Sequence, residues 1–244
     1  MRTALLMCLV LNGVWAQQHP SLDNYLFTPV AISPAHAGMQ GKDVVSLVDA
    51  QLVGVVGAPR TGLLSADFRT LNGLGINIMA VSDALGPMST GQLAISSAYH
   101  LSISEQWSLS TGIRATASRT TVDLNSEVFY DGLDPSIYTL AGPFIANIDI
   151  GTTLNGENAY FGLSYKNVNR AQIYQNNYTA QIFHLFAGYT QALDKEWTIR
   201  TSFLATGTTN SPGDLNLHAF LEHKNSWGLG VLYSPSDEMG MILK

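Results

Sequence analysis

Trp107-Ser-Leu-Ser-Thr-Gly-Ile-Arg-Ala-Thr-Ala-Ser118 sets Trp107, Leu109, Ile113 and Ala115 against Ser108, Ser110, Gly112, Arg114, Thr116 and Ser118. Side chains of a strand point alternately to its two faces, so this stretch reads as a strand with one oily and one hydroxyl-rich face. The same period recurs at 48–56, 64–68, 74–80, 93–103, 144–154, 161–165, 183–189, 197–203, 215–221 and 227–233, which makes eleven expected strands. Short connections (70–73, 104–106, 155–158, 193–196, 224–226) alternate with long ones (82–90, 119–143, 168–180, 206–213, 234–238). Tight turns on one edge and long loops on the other are the pattern of an antiparallel transmembrane β-barrel of the outer-membrane type. Trp107, Trp197 and Trp227 each stand first after a short turn, where a girdle at the membrane–water boundary would place them.

Composition favours the same fold class, all-β. Only 12% of the 244 residues are charged while 46% are hydrophobic, against about a quarter charged in a soluble domain. Beyond the N-terminus no run approaches the ~20 apolar residues of a membrane helix, so a bilayer would be crossed by strands. A net charge of −6 with no Lys/Arg cluster excludes a nucleic-acid partner and leaves outer-membrane lipid as the first one. Arg2, the apolar Ala4–Val14 stretch and Val14-Trp15-Ala16 read as a signal peptide over 1–16, cut after Ala16, which exports the chain to the bacterial outer membrane. Cys8 leaves with it, and with it any disulfide or thiolate site. Residues 17–43, broken by Pro20, Pro29 and Pro34, form an irregular periplasmic or plug-like segment, and 44–244 form the barrel. Short turns facing the periplasm make odd strands run outward. Residues 239–244 open a twelfth strand too short to close a barrel, and the chain reads as incomplete at its C-terminus.

Catalytic, cofactor and metal signatures are missing from the sequence, and the expectation is that this is not an enzyme. No Gly-x-Ser-x-Gly, His-Glu-x-x-His or phosphate loop occurs. Gly73-Leu-Gly75 and Gly228-Leu-Gly230 are strand glycines, and Asp131-Gly-Leu-Asp134 lacks calcium-loop spacing. His218 and Glu222 share a strand face but lie roughly 13 Å apart, too far for one metal. Strand register does bring charges together on the inner face. Arg114 is expected opposite Asp149, and Arg200 beside His218 or Glu222, as ion pairs across the barrel wall. Such pairs are structural, or alternatively a selectivity ring for a solute.

Two segments are too apolar for solvated loops. One is Tyr25-Leu-Phe-Thr-Pro29 with Ile32-Ser-Pro-Ala-His-Ala-Gly38, expected to offer Tyr25, Phe27, Pro29, Pro34 and Gly38 to a partner on the periplasmic side. The other is the 119–143 loop, whose Phe129, Tyr130, Ile137 and Tyr138 fold back as a lid or bind a partner.

Pro20-Ser-Leu-Asp-Asn24-Tyr-Leu-Phe-Thr-Pro29, Ser33-Pro-Ala-His-Ala-Gly38 and Gly57-Ala-Pro59 resemble the N-terminal signature of the PorP/SprF family of type IX secretion membrane proteins. Asp134-Pro135 and Phe161-Gly-Leu-Ser-Tyr-Lys-Asn167 are similar to its later patterns. Thr28, Ser33 and His36 stand where the family usually has Asn, Asn and Tyr, which marks a divergent member. The resemblance implies an outer-membrane barrel of Bacteroidota serving protein secretion or gliding motility. It implies as partners a periplasmic peptidoglycan-binding lipoprotein and secreted adhesins or sorting-domain cargo, which the barrel would anchor or dock. The alternative is an outer-membrane channel or transporter for small or hydrophobic solutes.

Overall fold

The computed structural model describes residues 28–41, 43–51, 58–70, 72–123, 139–174, 177–209, 211–224, 226–235 and 240–243. Fifteen strands occur among them: β1 (Val44–Gln51), β2 (Arg60–Arg69), β3 (Leu74–Leu85), β4 (Met88–Ser102), β5 (Trp107–Asp123), β6 (Thr139–Ala141), β7 (Ile145–Gly156), β8 (Ala159–Lys166), β9 (Gln172–Tyr174), β10 (Asn177–Tyr178), β11 (Ile182–Ala192), β12 (Trp197–Thr208), β13 (Ser211–His223), β14 (Trp227–Tyr233) and β15 (Gly240–Leu243). Thirteen form one sheet in the order β1-β2-β3-β4-β5-β7-β8-β11-β12-β13-β14-β15, with β6 added to β5, and β9 pairs with β10 apart from it. Every pairing is antiparallel. The sheet is not closed through the described residues, since β1 and β15 end the order.

The eleven expected strands correspond to β1–β5, β7, β8 and β11–β14, and the expected twelfth to β15. Two of the expected long loops are corrected. β3 runs to Leu85 and β4 starts at Met88, so only Gly86 and Pro87 join them, with Gly86 at φ 52°. Likewise only Thr209 and Asn210 separate β12 from β13. The polar residues taken for loop, among them Ser82, Asp83 and Thr90, continue the ladder beyond the apolar band. One rim is therefore high partly because strands are long, β5 reaching 17 residues.

The first strand also corrects an expected face. The period read over 48–56 puts Val48 on the oily face, yet Val45 and Leu47 are the exposed pair at 71% and 78%, with Leu47 opposite the exposed Leu64. Val44-Val-Ser-Leu-Val48 is apolar on both faces, so only the neighbour's register decides which side turns outward. On the other strands the oily face is the exposed one: Leu93, Ile95, Tyr99 and Leu101 on β4, Ile148 and Ile150 on β7, Leu229, Val231 and Tyr233 on β14. The opposite face buries Asp67, Asn77, Ser96, Arg114, Asp149, Ser164, His184, His218 and Glu222. A water-soluble sheet would bury the first set and expose the second; this inversion is that of a wall standing in lipid.

Candidate functional site

The buried face is occupied by the chain's own Thr28–Gly38. Pro29 and Pro34 each sit at the start of a three-residue 3-10 turn, Pro29–Ala31 and Pro34–His36, where a fixed φ suits the turn and no amide is missed. Ser33 breaks between them, and its hydroxyl accepts from the Ala35 amide at 3.3 Å. Two short turns leave the Val30, Ala31, Ile32 and Ala37 carbonyls without a backbone partner, and buried carbonyls require donors. The wall supplies them. Arg114 donates to the Val30 and Ala31 carbonyls, Ser164 to Ile32 at 2.7 Å, and His100 Nε2 to Ala37 at 2.7 Å. Asp67 accepts from the Gly38 amide at 2.8 Å.

The floor of this seat is cut into the sheet by small residues. Register places Gly75, Ala98, Gly112, Gly151 and Ser164 side by side on β3, β4, β5, β7 and β8. A Cβ on Gly112 would lie 2.5 Å from the Pro34 carbonyl oxygen; one on Gly75 would strike the Ala37 carbonyl, and one on Gly151 the Ser33 hydroxyl. Gly38 turns the chain away at φ +68°, against Gly75 and Phe68 backbone. Apolar contacts complete the fit: Ile32 with Phe186 and Leu204, Val30 and Ala37 with Ala98, Ala31 with Met79 and Ala94.

Eleven residues thus touch β2, β3, β4, β5, β7, β8, β11 and β12, consecutive neighbours in the sheet. Laid flat, those strands would span about 34 Å at ~4.8 Å spacing, more than eleven residues shortened by two 3-10 turns can reach. The wall must curl around it.

Arg114 is the centre of the seat. Its side chain is fully buried, donates to Ser96 Oγ at 3.0 Å and approaches Asp149 at 3.5 Å, while Asp149 accepts from the Asn167 amide at 2.9 Å. Arg200 and Glu222 meet at 2.7 Å on the same face, with Glu222 buried and Arg200 partly exposed. His36 packs its ring against Phe186 at 5.1 Å and edge-on to Tyr160 at 6.0 Å, and donates from Nδ1 to the Pro29 carbonyl at 3.0 Å. Burial drives its pKa down from 6.5 to about 4, with Arg114 and His100 adding to the shift and the Pro29 bond opposing it. His36 is neutral in the seat.

Pro29, Pro34 and Gly38, expected to face a partner, lie against the wall. Pro34 and Gly38 are buried and Pro29 half-buried, because the wall's donors and glycine floor hold the segment's backbone inside. Tyr25, Phe27, Phe129, Tyr130, Ile137 and Tyr138 lie outside the described residues, as does 1–16.

At the short-turn rim, Trp197, His223 and Trp227 stack across three strands, with ring centroids 4.7 Å and 5.3 Å apart in succession and the two indoles 5.5 Å apart edge-on. Glu196 bonds Lys224 at 2.7 Å and His223 at 3.4 Å, and both contacts hold its carboxyl below the usual range. Asp194 is held low by the Glu196 and Trp197 amides, each at 2.7 Å, which shape the turn. Trp107 stands on the same rim, its ring laid over Gly156 of the next strand.

Sequence reasoning had no reason to single out Asp67, His100, Ser164 or the glycine row. The available signal was small: Gly75, Gly112 and Gly151 all fall on the polar parity of strongly alternating strands, where a serine would serve if nothing approached.

Comparison with curated proteins returned no match. Among solved structures the chain is similar to a KdgM porin at 12% identity and TM-score 0.43, over 82% of this chain and 93% of that one. The family described as type IX secretion system membrane protein PorP/SprF matches residues 14–244, which takes in the plug, its glycine-floored seat and the whole inverted sheet. The chain belongs to the PorP/SprF family.

Proposed function

We propose that this protein is an outer-membrane docking barrel of the type IX secretion system, anchoring partner proteins rather than passing solutes. The observation that supports it most is the seat: four hydrogen bonds donated by Arg114, Ser164 and His100 and one accepted by Asp67 fix the backbone of a segment lying across the lumen face. A filled lumen leaves rims and loops as working surfaces, and its role is binding rather than catalysis. Family membership favours as partners a periplasmic peptidoglycan-binding lipoprotein and secreted proteins bearing a sorting domain.

Crosslinked pull-down of the full chain from a native envelope, paired with single-channel recording of the purified protein, tests the reading. Recovery of a peptidoglycan-binding lipoprotein or sorting-domain protein by a non-conducting barrel supports it. A steadily conducting protein recovered alone refutes it and favours the solute channel.

A further inference from the structure

The outward face of the described strands carries its charges only near its two rims, and one of those charges is held in an unusual way. Arg119 lies at the high rim on β5, two pleats beyond the apolar Ala115, with its side chain on the lipid-facing parity. Its Nε donates to the Gly142 carbonyl at 3.0 Å, and its guanidinium carbon stands 5.1 Å over the Phe144 ring. Phe144 is itself 76% exposed, so the stack is presented outward instead of being folded into the wall. Among the described residues no carboxylate comes within 4.0 Å of Arg119, in contrast to Arg60, which the Asp49 carboxylate meets at 2.9 Å.

These contacts use one of the five guanidinium N–H groups and fix the plane of the fork. Among the described residues the other four N–H groups have no partner, and they stand at the high rim beyond the apolar band. A cation there is poorly hydrated on its lipid side and gains most from an anion with oxygen atoms spaced for two parallel bonds, which a phosphate supplies. The Thr121 hydroxyl follows on the same face one pleat higher. The opposite rim is built differently. Its Lys224 and His223 are paired with Glu196.

We propose that Arg119, fixed by Gly142 and Phe144 and adjoined by Thr121, is a binding site for the phosphorylated head group of a lipid in the leaflet that meets the high rim. The lipid is held by a bidentate guanidinium–phosphate contact, with its chains running down the apolar face below Phe144.

Native mass spectrometry of the full chain in neutral detergent tests this, with lipid A as probe, its dephosphorylated form as control and inorganic phosphate as competitor. One lipid A per protein is expected to survive detergent exchange, and the dephosphorylated form to bind about tenfold less well or weaker. Arg119→Gln is expected to lower lipid A retention by about tenfold, and Arg119→Lys to restore only part of it because a point charge lacks the fork. Phe144→Leu keeps the charge and loosens its fixation, and is expected to cost a smaller factor. Equal retention of the two lipids, or lipid A binding unchanged in Arg119→Gln, overturns the proposal. Displacement of lipid A by millimolar inorganic phosphate also overturns it, since the site would then be one for free anions. Arg119 lies outside the plug seat, so a failure here leaves the docking reading untouched.

Discussion

Arg114→Ala asks whether the wall holds the plug or merely surrounds it. The substitution removes the donor to the Val30 and Ala31 carbonyls and to Ser96 Oγ, and it takes away the cation facing Asp149. Breaking a buried ion pair by deleting one member costs about 3–5 kcal/mol. Asp149 keeps the Asn167 amide, and Lys166 remains a neighbouring cation, so the lower end applies, about 3 kcal/mol. Because the donors to Val30 and Ala31 go at the same time, much of that cost falls on plug docking rather than on the strand ladder.

Ser33→Cys in a Cys8→Ser background gives one reporter thiol, since Cys8 is the only cysteine of the chain. Ser33 is fully buried, so a water-soluble maleimide reaches position 33 only when the plug lifts. A loss of 3 kcal/mol raises the open population and the labelling rate by about a hundredfold. A rate within threefold of the reference refutes the role given to Arg114. The double variant Arg114→Met with Asp149→Leu sharpens the test. Removing both charges relieves the stranded carboxylate, yet the plug carbonyls still lack their donor. Labelling should therefore stay raised while the wall regains stability. Full recovery of protection would mean that the charge pair mattered and the carbonyl bonds did not.

Three further outcomes follow from the same geometry. Gly112→Val puts a Cβ 2.5 Å from the Pro34 carbonyl oxygen, and is expected to raise Ser33→Cys labelling at least tenfold while far-ultraviolet dichroism keeps its β signal. Between its free pKa of 6.5 and the seat value of about 4, His36 binds a proton only when undocked, so docking weakens as pH falls through that window. The 2.5-unit gap is worth about 3 kcal/mol, and labelling normalised to an exposed thiol should climb from pH 6.5 toward 4 in the parent and stay flat in His36→Leu. For the rim, lipids brominated near the head group should quench Trp107, Trp197 and Trp227 more than lipids brominated at mid-chain; the reverse order would remove the girdle.

The wall was readable because lipid on one side and a packed interior on the other enforce a strict period of two. Trp107–Ser118 alone carries the argument, and Arg114 and Asp149 face one another because the β5–β7 register is continuous from Trp107↔Gly156 to Ser118↔Ile145. Where the constraint lapses, reading fails. β1 is oily on both faces, so its parity was ambiguous, and β6, β9 and β10 are two or three residues long, below any period. Above the apolar band both faces are polar, which is why Ser82–Thr90 resembled a loop although its ladder continues to Leu85↔Met88. The seat was hidden for another reason. It recognises main chain, and backbone recognition leaves on the wall only glycines and scattered donors that form no motif of their own.

That mode of recognition also explains why the buried charges are tolerable. Arg114 and Asp149 lie on the inner face among Ser96, Gly112 and Gly151, and an unpaired arginine there would cost several kcal/mol in lost hydration. A water-filled lumen would hydrate the guanidinium, and a plug presenting apolar side chains to it would strand the charge. The Pro29–Ala31 and Pro34–His36 turns do neither. By ending each turn after three residues they leave the Val30, Ala31 and Ile32 carbonyls unladdered, and these oxygens replace water around Arg114 and Ser164. A longer helix in the same place would spend those carbonyls on itself. The irregularity of Thr28–Gly38 is therefore what lets a polar wall pack against it, and a substitution that makes 29–36 a continuous helix should unseat it without touching one strand.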